Sequence, residues 1–142
     1  MGVDFIVVAV DPSQVIFGAD KFVEEAAMRW PECRVYRRDP SRMVADVSVS
    51  VAPSGSSSFS VIHYPNNRFI STDAGPEVAA EIAIWVRSLH PDPSLTLWLT
   101  AESFSAHVVL HPGITTDEIH TGWVDHREHD PYEEFPQYFC DW

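Results

Sequence analysis

The chain has 142 residues, 45% of them hydrophobic and 21% charged, which are globular proportions that exclude wholesale disorder. That length is enough to bury roughly 70% of the surface an unfolded chain exposes, so a single domain (1–142) without disulfide or metal staples is expected. A formal net charge of −12 and a pI of about 4.7 argue against nucleic acid as a partner, since a phosphate backbone is repelled by most of such a surface.

The opening MGVDFIVVAV is apolar, but it carries Asp4, lacks a basic cluster and is too short to span a bilayer. It reads as a buried strand, with a cytosolic location and no membrane as the corresponding expectation. Ile6 stands where a myristoylation signal after Gly2 wants Ser or Thr, so no lipid anchor is expected. After the turn residues of DPS at 11–13, Ala19, Phe22, Val23, Ala26 and Trp30 recur at helical spacing, and Pro31 stops the helix. Cys33 and Cys140 have no metal-ligand spacing and are expected as free thiols.

CRVYRRD is followed by the turn DPSR at 39–42 and by MVADVSVSV. There Met43, Ala45, Val47, Val49 and Val51 alternate with Val44, Asp46, Ser48 and Ser50, the period of a half-buried strand. A loop at 52–58, the run FSVIHY, the turn PNN and the run RFISTD complete a meander of up to four strands. Gly75 and Pro76 fit the cap and first position of a second helix whose apolar face is Val78, Ile82, Trp85, Val86 and Leu89, limited by Pro91. LTLWLT and FSAHVVLH read as two more strands joined by AES. The order β-α-β-β-β-β-α-β-β predicts an α+β fold, a largely antiparallel sheet of about six or seven strands with two helices. The turn DPSQVIFG after the first strand is not a glycine-rich phosphate loop, which disfavours a dinucleotide-binding fold.

Charge is distributed unevenly. Arg29, Arg34, Arg37, Arg38 and Arg42 supply five of the nine basic residues within one short segment. From Pro112 onward, Asp117, Glu118, Asp125, Glu128, Asp130, Glu133, Glu134 and Asp141 face Arg127 alone, a local net of −7. The segment 112–142 is therefore an acidic, aromatic ending, and its chemistry is the main functional question.

His120, His126 and His129, interleaved with Asp125, Glu128 and Asp130, supply ligand types for zinc. No helix fixes two imidazoles on one face in a segment broken by Pro131 and Pro136, so the expectation is a solvated acidic turn, with no metal and no cofactor. His107 and His111 share a strand face but stand about 13 Å apart along a regular strand, and both are expected at the surface. His63 lies near a strand end and reads as an ordinary part of a hairpin. There is no GxSxG elbow, and Cys33 has no neighbouring histidine in sequence. No enzyme is expected.

Trp123, Tyr132, Phe135, Tyr138, Phe139 and Trp142 are costly to leave in water together. Either they dock on the domain's own sheet while the acids face Arg37 and Arg38, or they anchor a protein partner whose basic cleft the acids complement. The two can coexist, with docked aromatics beneath an acidic outer face.

A short, strongly acidic α+β chain with many tryptophans and an acidic-aromatic ending resembles the immunity proteins of bacterial polymorphic and contact-dependent toxin systems. The likeness lies in size, charge and the 112–142 segment rather than in a motif. It implies a protein that binds and neutralises a basic cognate toxin enzyme, many of which are nucleases. The partner-binding surface would comprise Asp117, Glu118, Trp123, Asp125, Glu128, Asp130, Tyr132, Glu133 and Glu134. Among these, Asp125, Glu128, Asp130, Glu133 and Glu134 would stand in for substrate phosphates, and Trp123 and Tyr132 would be the desolvated anchors. Two alternatives remain: a metal-dependent hydrolase using histidines and carboxylates of the ending, and a self-associating module in which that ending meets the arginine segment of another copy.

Overall fold

The computed structural model describes residues 4–37, 45–53, 55 and 57–139. Gly2, Arg38, Arg42, Met43, Val44, Cys140, Asp141 and Trp142, which enter the sequence reading, lie outside them. Along the chain come β1 (Phe5–Ala9), α1 (Ala19–Arg29), β2 (Arg34–Arg37), β3 (Val47–Val51), β4 (Phe59–His63) and β5 (Phe69–Thr72). They are followed by α2 (Pro76–Leu89), β6 (Leu97–Ala101), β7 (Ala106–Val109), α3 (Thr116–Thr121), β8 (Val124–Asp125), α4 (Pro131–Glu134) and α5 (Pro136–Phe139). The strands form one sheet in the order β2-β3-β4-β5-β1-β6-β7-β8, with every neighbouring pair antiparallel.

The α+β class and the four-strand meander agree with expectation. The sheet has eight strands rather than six or seven, because the two-residue β8 adds itself to β7, and three short helices join the two expected ones. Two-residue strands and helices of four to six residues lack enough residues for a period to declare itself.

β1 is apolar on both faces because it lies inside the sheet. Val7 pairs with Ile70 of β5 and Leu99 of β6, while Val8 pairs with Phe69 and Trp98. Alternation then sorts the side chains. Val7, Ala9, Val49, Val61, Ile70, Leu97, Leu99 and Val108 point to one face, where Phe22 and Ala26 of α1 and Ile82, Ala83 and Val86 of α2 complete the main core. Burying each large side chain of that set contributes about 1.5–3 kcal/mol.

Local chemistry sets the helix ends. Gly75 precedes Pro76 at the start of α2, where the missing N–H of proline costs nothing. At the other end Arg87 is buried, and its Nη1 and Nη2 donate to the carbonyls of His90 and Asp92 at 3.2 and 2.9 Å. Thr115 and Glu118 cap α3 reciprocally, each side chain bonding the other's backbone N–H. Gly122 closes α3, since a Cβ there would lie 2.7 Å from the Glu118 carbonyl oxygen.

Cys33 carries a free thiol, as expected, and burial raises its pKa. Among the described residues no helix is long and apolar enough to cross a membrane.

Candidate interaction surface

The second face of the sheet positions the acidic segment. Ile6, Val8, Val10, Phe69 and Trp98 lie there, and the chain after β8 covers part of it with Phe135, Tyr138 and Phe139. Asp130 accepts from the Tyr132 N–H at 2.9 Å and Pro131 opens α4, so the turn into the covering segment is capped. The Phe135 ring stands edge-on to Trp98 at 5.1 Å, and Phe139 lies 5.8 Å from Trp98 and 5.7 Å from Phe104. The ending therefore covers its own sheet.

A second attachment comes from two histidines. Ala106 and His107 of β7 pair with Asp125 and Val124 of β8, and the His126 N–H continues the ladder to the Ser105 carbonyl at 2.9 Å. His126 Nδ1 lies 2.6 Å from the Phe104 carbonyl, which can only accept, so Nδ1 carries a proton. Its Nε2 lies 2.8 Å from His107 Nδ1, and one of these two nitrogens donates to the other. The result is a hydrogen-bonded chain linking His107, His126 and the Phe104 carbonyl.

His107 is a correction to the sequence reading: it is 3% exposed, not a surface histidine, because the distant Phe135 and the stacked indole of Trp98, centroids 3.7 Å apart, cover its face. Burial, then the neighbouring His126 and His129, lowers its pKa from 6.5 to about 4. His126 is likewise half-buried and bonded rather than part of a solvated turn. His63 is buried between the Asp46 carboxylate and the Phe17 carbonyl, at 2.8 Å from each. His111 is exposed as expected.

The carboxylates divide by what holds them. Glu118 is committed to capping α3 and to His111 Nε2 at 3.1 Å, and the Thr115 hydrogen bonds lower its pKa. Asp125 accepts from the Arg127 backbone and guanidinium, which hold its carboxyl down at about 2. Asp130 caps α4, and Glu134 pairs with His129 Nδ1 at 3.1 Å. Asp117, Glu128 and Glu133 are exposed and form no ion pair among the described residues. Tyr132 is 51% exposed with its ring 5.6 Å from Phe139, whereas Trp123 is half-buried, 6.2 Å from Phe5 and packed against the main core.

Among the described residues no acid of the ending pairs with Arg34 or Arg37, and Arg38 lies outside them. β2 and β8 are the two opposite edges of the sheet, and Arg37 pairs instead with Asp20 of α1 at 3.1 Å. Among the described residues no group of three or more His, Cys, Asp or Glu side chains is placed to hold a metal ion. Both ring nitrogens of His126 already have partners, and His129 Nδ1 is paired with Glu134.

The fold and this surface define an α+β protein with an open, wholly antiparallel eight-stranded sheet and an acidic segment folded back on one end of it. No family profile matches the sequence, and comparisons with curated proteins and with solved structures returned no match.

Proposed function

We propose that this chain is an immunity-type protein that binds and neutralises a basic toxin enzyme through the outer face of its C-terminal segment. The observation that carries the reading is the division of labour in that segment. Phe135 and Phe139 are spent on the chain's own sheet, while Asp117, Glu128 and Glu133 are held outward without a cationic partner among the described residues. A covering segment pinned by the β7–β8 ladder and the His107–His126 bond presents these charges from a preorganised surface, which lowers the ordering cost of binding.

Tyr132 is the exposed aromatic anchor, and Trp123 contributes the part of its ring that packing leaves open. Asp125, Asp130 and Glu134 add negative potential from their capped or paired positions, and Glu118 does so from the end of α3. Such a surface accelerates association with a cationic cleft more than it deepens affinity. The chain itself carries no catalytic role in this reading, and a cytosolic site of action goes with it.

The test is co-purification with the product of the neighbouring gene, using charge reversal rather than truncation. Removing residues after Ile119 would also strip the cover from Trp98 and His107 and confound binding with unfolding. The triple variant Asp117→Lys, Glu128→Lys, Glu133→Lys changes only exposed positions. The expected result is a folded protein that loses the partner, with a wild-type association rate that falls steeply with salt. An undiminished association of the triple variant, or no partner for the wild type, overturns the reading.

A further inference from the structure

Between the second face of the sheet and the C-terminal segment lies a cavity of about 190 Å³. Val8, Trp98, Phe69, Phe104 and Phe139 line it, and Glu102 is the one charged residue among its described lining residues. Its size is informative: an apolar cavity of roughly 150 Å³ stays dry and holds benzene. This one is of similar size but partly open to solvent, with room for a six-membered ring with a short alkyl arm.

The charge beside the cavity is of one sign among the described residues. Glu102 is exposed, its backbone N–H donates to the Asp4 carbonyl at 2.8 Å, and the Asp4 carboxyl has a raised pKa through burial first and then through Glu102 and Asp73. An anionic ligand would add to that repulsion, and a neutral one would leave it unrelieved. Phe104, which forms one wall, has a φ of 54°, in the left-handed region that a bulky side chain enters only when its surroundings compel it. Its ring packs 4.6 Å from His126 and 5.7 Å from Phe139, so the wall is held by the same contacts that attach the covering segment.

We propose that this cavity is a binding site for a small aryl-alkyl amine, with the ring enclosed by Trp98, Phe69, Phe104 and Phe139 and the ammonium at Glu102. The aromatic walls add cation–π attraction for an ammonium at the rim. Glu102 is not one of the carboxylates assigned to the partner surface, and the inference does not depend on a protein partner.

The experiment titrates the full chain with 2-phenylethylamine, 2-phenylethanol and 3-phenylpropionate, following the Trp98 indole N–H and the Val8 methyl resonances by NMR. The expected result is saturable shifts at both positions, with the amine bound about three- to tenfold more tightly than the alcohol and the carboxylate weakest. Glu102→Gln, at an exposed position, should equalise amine and alcohol while the spectrum stays folded. Val8→Phe should fill the cavity and abolish both. No shift at Trp98 with millimolar amine, equal binding of the carboxylate, or an amine preference that survives Glu102→Gln each overturns the proposal.

Discussion

Acidifying the protein should expose the cost of keeping His107 neutral. In the unfolded chain this imidazole takes a proton near pH 6.5, whereas in the native state burial defers that to about pH 4. Between these values the unfolded state binds more protons, so stability is complete above pH 6.5 and falls as the pH drops toward 4. A difference of this size corresponds to about 3 kcal/mol over the whole window, of which about 2.5 kcal/mol is lost by pH 4.5. The control is His107→Asn, whose side-chain amide can donate to or accept from His126 Nε2 but does not titrate. Urea unfolding of both proteins at half-unit steps from pH 7.5 to 4.0 isolates the effect, because the other groups are common to both. The asparagine variant should be the weaker protein at pH 7.5, since it loses the stack on Trp98, and its deficit should shrink by about 2.5 kcal/mol by pH 4.5. A deficit that is constant with pH would refute the assignment of His107 as a buried neutral imidazole.

Other expectations concern the covering segment and its approach. Phe139→Ala removes a buried ring from the Trp98 cluster and should cost about 3–5 kcal/mol in denaturant, with loss of near-ultraviolet ellipticity from Trp98. Gly122→Ala drives a Cβ against the Glu118 carbonyl and should cost about 1–3 kcal/mol, read as a lowered midpoint in thermal unfolding. Thr115→Ala removes the reciprocal cap of α3 and should cost about 1 kcal/mol by the same measurement, with the pKa of Glu118 rising toward its ordinary value by NMR titration.

Much of the fold could be read locally because its signals are local. Gly75-Pro76 and Pro31 mark helix ends by backbone chemistry, and Val47, Val49 and Val51 reveal their face by a period of two. What could not be read depends on contacts between distant residues. The alternation in β7 places His107 on a face without saying that Phe135, 28 positions onward, covers it. Arg87 interrupts the apolar stripe of α2 because two carbonyls beyond the helix end receive its guanidinium. The self-covering role of the aromatics was legible from their cost in water. The acids do not meet Arg37, because the pattern of charges carries no information about which strands become the sheet's edges. The capping box of α3 is written in the sequence as Thr115 and Glu118, although six residues of helix are too few to stand out by period.

The central position of β1 fixes the order in which the molecule can assemble. Its partners β5 and β6 begin more than 60 and 90 residues later, so β1 has no slot to enter until those later strands have been made. The meander from β2 to β5 can pair by short connections, but the two halves of the sheet join only when β1 slides between them. Closure through such long loops makes folding slow for a domain of this size, and it leaves Phe5 to Ala9 as an unpaired apolar strand until that closure.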